Sequence, residues 1–171
     1  MQKDIETHRL VLRAFKLSDS ERVARLAGEK VIADMTANIP HPYEPAMARQ
    51  WIQTHQDQFM EGGGVVYAIT MKGCDDIIGA VGFPKLDNGL GELGYWLGVP
   101  YWGQGIAFEA AKALVEFYKD HHGLIELHVI HLAENQRSKS VIRKLGVDHA
   151  ENMIRHIHGQ DREICVYKSV L

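Results

Sequence analysis

The chain has 171 residues, and its 46% hydrophobic and 24% charged content lies close to the globular average, which excludes wholesale disorder and a collagen-like architecture. Nineteen Lys and Arg against 22 Asp and Glu give a formal net charge of -3, so a partner held mainly through phosphate electrostatics, and with it direct nucleic-acid binding, is not expected. The length fits one domain over residues 1–171.

From Arg9 to Phe15 the residues alternate, with Leu10, Leu12 and Ala14 on one side and Arg9, Val11 and Arg13 on the other, which predicts a half-buried strand. Ser18-Asp19-Ser20-Glu21 reads as a capping box, and Val23, Leu26 and Ala27 follow at helical spacing up to Gly28. The prolines of Ile39 to Pro45 exclude helix interior, but Pro45 suits a first helical position. That helix buries Ala48, Trp51, Ile52, His55 and Phe59 and stops at Gly62-Gly63-Gly64. Val65 to Met71 and Ile77 to Phe83 form a predicted hairpin, and Asp87-Asn88-Gly89 turns the chain into a fourth strand, Glu92 to Leu97.

Ala107, Ala110, Ala111, Leu114, Val115 and Tyr118 mark the buried stripe of the next helix, with Glu109, Lys112, Glu116 and Lys119 on its wet side. Leu124 to Leu132 is apolar on both faces, as in an internal strand after a crossover helix, so the strands before and after that helix should be parallel. Ser138 to Leu145 forms the last helix, with Val141, Ile142 and Leu145 inward and Gly146 at its end, and a hairpin turning at His158-Gly159-Gln160 closes the chain.

Cys74 and Cys165 are far apart and show no Cys-x-x-Cys spacing, so neither a disulfide framework nor a thiolate zinc site is indicated, and a reducing cytoplasm is the expected setting. Met1 to Glu6 lacks a signal-peptide core, and no stretch approaches the roughly 18 apolar residues of a membrane span. His156-x-His158 has no third ligand at a recognised spacing, so no metal is expected.

The chemistry concentrates in Gly94 to Ala107, a strand passing through a glycine turn into a helix. Small residues let the backbone approach a ligand, and amides at a helix start attract a phosphate. The segment lacks the Gly-Lys-Ser/Thr of a P-loop and the third glycine of the dinucleotide fingerprint. Taken alone, such a turn is equally compatible with simple chain reversal.

The order of elements, β-α-α-β-β-β-α-β-α-β-β, resembles that of the GNAT superfamily of acyl-CoA-dependent N-acetyltransferases. Its pyrophosphate signature, Gln/Arg-x-x-Gly-x-Gly/Ala, falls on Trp102 to Ala107, with Gly105 and Ala107 in the small positions and Trp102 departing at the first. The chain is most similar to the ribosomal-protein alanine acetyltransferases of RimJ/RimL type. Glu6-Thr7-His8-Arg9-Leu10-Val11-Leu12-Arg13, Gly94-Tyr95-Trp96-Leu97 with Tyr101-Trp102-Gly103-Gln104-Gly105, and Asn135-Gln136-Arg137-Ser138 with Lys144-Leu145-Gly146-Val147 carry this likeness in order.

The resemblance implies an α/β (α+β) fold, a mixed and mostly antiparallel sheet whose fourth and fifth strands are parallel but splay, flanked by helices. It implies acetyl-CoA as cofactor, with pantetheine between the splayed strands on the backbone of Tyr95 to Val99, Leu97, Gly98 and Val99 included, and an amide near Leu97 or Val99 polarising the thioester carbonyl, where preorganised amides stabilise developing charge. The amides of Gln104, Gly105, Ile106 and Ala107 would take the pyrophosphate, helped by the Gln104 side chain, and Asn135 would hold the pantetheine arm. His41, Tyr43 and Tyr95 would wall the acceptor pocket. Glu92 is the candidate base, acting through water, or else a polar strand end. Ser138 is the candidate acid for the thiolate, or a cap of the following helix.

The acceptor would be a protein N-terminal amine or a small-molecule amine such as a polyamine or an amino sugar. The alternative is a CoA-binding regulatory module without transfer, and a general nucleotide-phosphate binder is a third reading. Exchange of the C-terminal hairpin could form a homodimer.

Overall fold

The computed structural model describes all 171 residues. The chain runs β1 (Ile5–Glu6), β2 (Leu10–Arg13), a 3-10 turn (Leu17–Asp19), α1 (Ser20–Ala27), α2 (Lys30–Asp34), α3 (Pro45–Glu61), β3 (Val65–Met71), β4 (Ile77–Asp87) and β5 (Leu90–Leu97). A second 3-10 turn (Val99–Tyr101) leads to α4 (Ile106–His122), β6 (Glu126–Leu132), α5 (Gln136–Leu145), β7 (His149–Ile157) and β8 (Gln160–Val170). One eight-stranded sheet holds them in the order β1-β2-β3-β4-β5-β6-β8-β7. Every pairing is antiparallel except β5 with β6, the pair on either side of the crossover helix α4. No helix is long and apolar enough to cross a membrane.

Helices cover both faces. Leu12, Ile69, Val81, Leu93 and Leu127 pack with Ala110, Leu114 and Tyr118 of α4 and Ile142 of α5 in the main core. On the opposite face Ala68 and Ile77 meet Val23 of α1 and Ala48 and Ile52 of α3. Periodicity predicts these faces well because each stripe of small and aliphatic residues has one place to go. The tight turn between β4 and β5 needs Asn88 and Gly89, whose φ values of 47° and 82° match a hairpin turn with both central residues left-handed. A bulge between Gly82 and Lys85 admits Pro84 into β4 without breaking the sheet.

Two elements escape the sequence pattern. β1 has only two residues, too few to show alternation, and α2 has five, of which Ile32 and Ala33 are buried. The entry to α1 also differs from expectation. Ser18 does not cap it; the Asp19 carboxylate instead accepts the Lys16 amide at 2.8 Å, and Ser20 Oγ donates to the Leu17 carbonyl. Asp19 is drawn there by Arg13, which is buried rather than on a wet strand face. Its guanidinium meets Asp19 at 2.9 and 3.0 Å and Asp75 at 2.8 Å, a bidentate arrangement that makes burial of the charge tolerable.

His55 lies in the second core at 8% exposure with neither ring nitrogen hydrogen-bonded. Phe15 and Trp51 pack edge-on against it at 5.5 and 4.4 Å. Burial pushes its imidazole down from 6.5 to about 4. The unfolded chain therefore takes up the proton first, so His55 costs nothing above about pH 6.5 and destabilises progressively as pH falls toward 4. Urea unfolding at pH 7 and pH 4.5 should show a His55→Phe variant losing about 2 kcal/mol less than the wild type between the two conditions. Equal losses would mean that the ring reaches solvent in the folded state.

Candidate functional site

The site begins where a pairing stops. β5 and β6 are in register from Leu90 with Glu126 to Leu93 with Val129 and no further. Beyond that point β5 stays on β4, with Leu97 opposite Gly79, and β6 stays on β8, with Leu132 opposite Ile164. The Gly98 amide donates to Ile78 on β4 at 2.8 Å, so by alternation the amides of Tyr95 and Leu97 point the other way, into the gap. The Leu97 carbonyl is taken by Trp102 Nε1 at 2.7 Å, which leaves the Leu97 N–H as a donor facing the opening.

At the far end of the gap, Gly103 and Gly105 both adopt a φ of 75°, a left-handed conformation that requires glycine in practice. This turn aims the start of α4 at the gap. No amide from Gly103 to Phe108 donates to a backbone carbonyl, and the first helical bond is Glu109 N–H to Gly105 at 3.1 Å. A row of free amides at the positive end of a 17-residue helix is a ready anion cradle.

The cradle is braced from the N-terminal strands. Arg9 donates to the Gln104 carbonyl at 2.9 Å and to Glu109 at 2.6 Å, and Glu109 also accepts the Thr7 hydroxyl and the Arg9 amide. Burial raises the Glu109 pKa, but these hydrogen bonds and the Arg9 charge outweigh it and hold the carboxyl below its ordinary range. Glu109 is thus a brace and not part of a solvated helix face. Gln104 turns its side-chain amide to the Pro100 carbonyl at 3.3 Å, away from the role expected of it.

Two cavities open on the gap. One, of about 260 Å³, is lined by Leu97, Gly105, Ile106 and Ala107. The other, of about 290 Å³, is mostly apolar and is lined by Tyr43, Trp51, Gly94 and Ile130. Met35, Thr36, Tyr95, Trp96, Asn135 and Ser138 line both, so the two spaces meet at these residues. At the meeting point the Tyr95 hydroxyl and Ser138 Oγ are 2.7 Å apart. Burial pushes the Tyr95 phenol up to about 12, against the opposing effect of its bond to Ser138, so it stays protonated.

Asn135 fixes this junction. Its Oδ1 accepts the Ser138 amide at 3.1 Å as the N-cap of α5, and its Nδ2 donates to the Met35 carbonyl at 3.2 Å. The helix cap is therefore Asn135 and not Ser138, and one Asn135 N–H is already committed within the protein. Because the cap also ties α5 to the end of α2, Asn135→Ala should destabilise by about 1 kcal/mol or more in urea unfolding. Unchanged stability would show that the cap is redundant.

The other sequence candidates are dispersed. Gly98 and Val99 lie outside both cavity walls, although the Val99 amide donates to no backbone carbonyl. Glu92 shares a strand face with Gly94 and Trp96 but lies beyond the cavity rim, 3.3 Å from Lys85. His41 lines neither space; its Nδ1 is 3.1 Å from the Gly28 carbonyl. His131 lines the second cavity unannounced by any motif. Its Nδ1 faces the Leu132 carbonyl and so carries the proton, while Nε2 accepts from the Tyr167 hydroxyl. Burial lowers its pKa, so it stands neutral. No three His, Cys, Asp or Glu side chains are gathered as a metal would need.

The family model for the acetyltransferase (GNAT) domain matches residues 9–148. The uncharacterized N-acetyltransferase p20 of Bacillus licheniformis is 34% identical over 113 residues, which span 65% of this chain and 63% of p20, less than two thirds of its length. Among solved structures, RimL, a ribosomal L7/L12 alpha-N-protein acetyltransferase in complex with coenzyme A, superposes with a TM-score of 0.90 at 19% identity, covering 99% of this chain and 98% of that one. The microcin C7 self-immunity acetyltransferase MccE, in complex with acetyl-CoA and AMP, gives 0.87 at 19% identity over 96% and 94%. At such identities these two likenesses speak for the fold. The splayed parallel pair, the glycine turn at α4 and the family match over most of the chain together establish that the protein belongs to the GNAT acetyltransferase family.

Proposed function

We propose that the protein transfers an acetyl group from acetyl-CoA to a primary amine, with both bound at once. The observation that carries this reading is the meeting of the two cavities at Tyr95, Asn135 and Ser138, in the gap between β5 and β6. Acetyl-CoA supplies the acyl group as an activated thioester. The residues of the first cavity fit it: free amides at the start of α4 suit its pyrophosphate, and the open edge of β5 suits the amides of pantetheine. Binding of CoA by RimL and of acetyl-CoA by MccE, on the same fold, supports this use of the space.

In this reading the Leu97 N–H hydrogen-bonds the thioester carbonyl, a fixed donor of the kind that favours charge developing on oxygen. Ser138 Oγ–H protonates the sulfur released as the amine nitrogen bonds the acyl carbon, and the proton shed by that nitrogen returns to Oγ through water. The Tyr95 phenol and the Asn135 cap set the direction of that hydroxyl. The second cavity receives the amine. Its walls include no charged side chain, so a polyamine or an amino sugar would find no counter-charge there. A protein N-terminus with a small or apolar first residue fits better, and RimL, an alpha-N-protein acetyltransferase of ribosomal L7/L12, supports a protein α-amino group as the acceptor. An α-amine titrates near 8 and needs little help at neutral pH. Glu92, outside the rim, would then act only through intervening water.

Titration calorimetry with acetyl-CoA against ATP and NAD tests the cofactor, and a panel of peptides and small amines tests the acceptor. Selective binding of acetyl-CoA with turnover of peptides is the expected result. Tight binding without turnover of any amine would favour a regulatory CoA-binding module instead. Ser138→Ala should lower kcat by about tenfold or more while acetyl-CoA affinity holds, and Glu92→Gln should cost less. An unchanged kcat in Ser138→Ala would remove the hydroxyl from the mechanism.

A further inference from the structure

The wall of the first cavity contains no carboxylate but two cations, Arg137 and Lys144, both from α5. Neither has a carboxylate within ion-pairing reach. On a chain of net charge -3 this is an unusual concentration of unpaired positive charge. Arg9, the other guanidinium at the cradle, is neutralised by Glu109 at 2.6 Å.

The Arg137 guanidinium sits over the Trp102 indole, with its central carbon 3.5 Å from the ring centroid. The ring is itself held by the bond from Nε1 to Leu97, so the stack has a fixed plane. Helix stability does not account for this placement. Arg137 is the second residue of α5, where a cation opposes the helix dipole. Its guanidinium makes no hydrogen bond within the protein, so its five donors stay available.

We infer that Arg137, laid across Trp102 at the mouth of the first cavity, is the side-chain cation that binds the phosphates of CoA. Trp102 stands where the signature has Gln or Arg, and it supplies a platform that brings a guanidinium from α5 to the α4 amides. The chain thus fills the departed signature position with two residues, one from the turn before α4 and one from α5. This inference rests on the proposed CoA reading.

The test is titration calorimetry of the wild type, Arg137→Gln and Lys139→Gln with CoA and 3′-dephospho-CoA. Lys139 is exposed on α5 and lines neither cavity, so it controls for general charge. Arg137→Gln should weaken CoA about tenfold or more, while Lys139→Gln stays within about twofold of the wild type. Equal loss with both ligands places Arg137 on the pyrophosphate, and loss with CoA alone places it on the 3′-phosphate. Trp102→Leu should weaken CoA as well, and the double variant with Arg137→Gln should lose little more than the worse single, since Trp102 acts through Arg137. CoA affinity in Arg137→Gln within about twofold of the wild type, or an equal loss in Lys139→Gln, would overturn the inference and leave the CoA reading standing. A wild type that binds CoA no better than ATP would overturn both.

Discussion

The architecture turns on one limit, the end of β5–β6 pairing at Leu93 and Val129. Each strand keeps its outer neighbour past that point, so the sheet divides into two halves that remain internally satisfied. The inner edges are then left with backbone donors and acceptors that have no strand partner. Leaving such groups buried and unpaired costs about 1–3 kcal/mol each, so something must meet them. The protein meets one with an indole N–H from Trp102 and closes the deep end with the capped start of α5. The remaining edge is the natural place for an extended ligand with amides of its own.

Helix termini do the complementary work. α4 presents free amides through a left-handed glycine turn, whereas α5 spends part of its terminus on Asn135 and thereby fixes Ser138 against Tyr95. Two helices entering the same gap are therefore used differently, one open toward an anion and the other locked around a hydroxyl pair. Desolvation of Tyr95 keeps that pair neutral through the physiological range.

Much of this was legible in the chain. Aliphatic periodicity placed α3, α4 and β3 to β6, because those stripes answer to a single core face each, and the crossover through α4 required the one parallel pair. The glycine turn announced the amide cradle. What stayed hidden depends on partners distant in sequence. Arg13 looks like a solvated strand residue until Asp19 and Asp75 are brought to it, and Glu109 looks like helix surface until Thr7 and Arg9 arrive. The spacing of Glu92 from the glycine turn gave no measure of how far the cavity rim extends along β5. Arg137 sits in a motif remarked for its neighbours Asn135 and Ser138, and only the fold lays it on Trp102.

The brace from Arg9 to Gln104 joins residues 95 apart in the chain, and the Thr7 and Arg9 contacts with Glu109 join residues 102 and 100 apart. During vectorial synthesis at about 5–20 residues per second, the N-terminal strands leave the ribosome several seconds before the segment that they steady. The brace on the glycine turn can form only once residues 104 to 109 have followed them. Thr7 and Arg9 thus stay without these partners while the intervening chain is made, so the start of α4 is steadied by the earliest residues of the protein and not by its own neighbours in sequence.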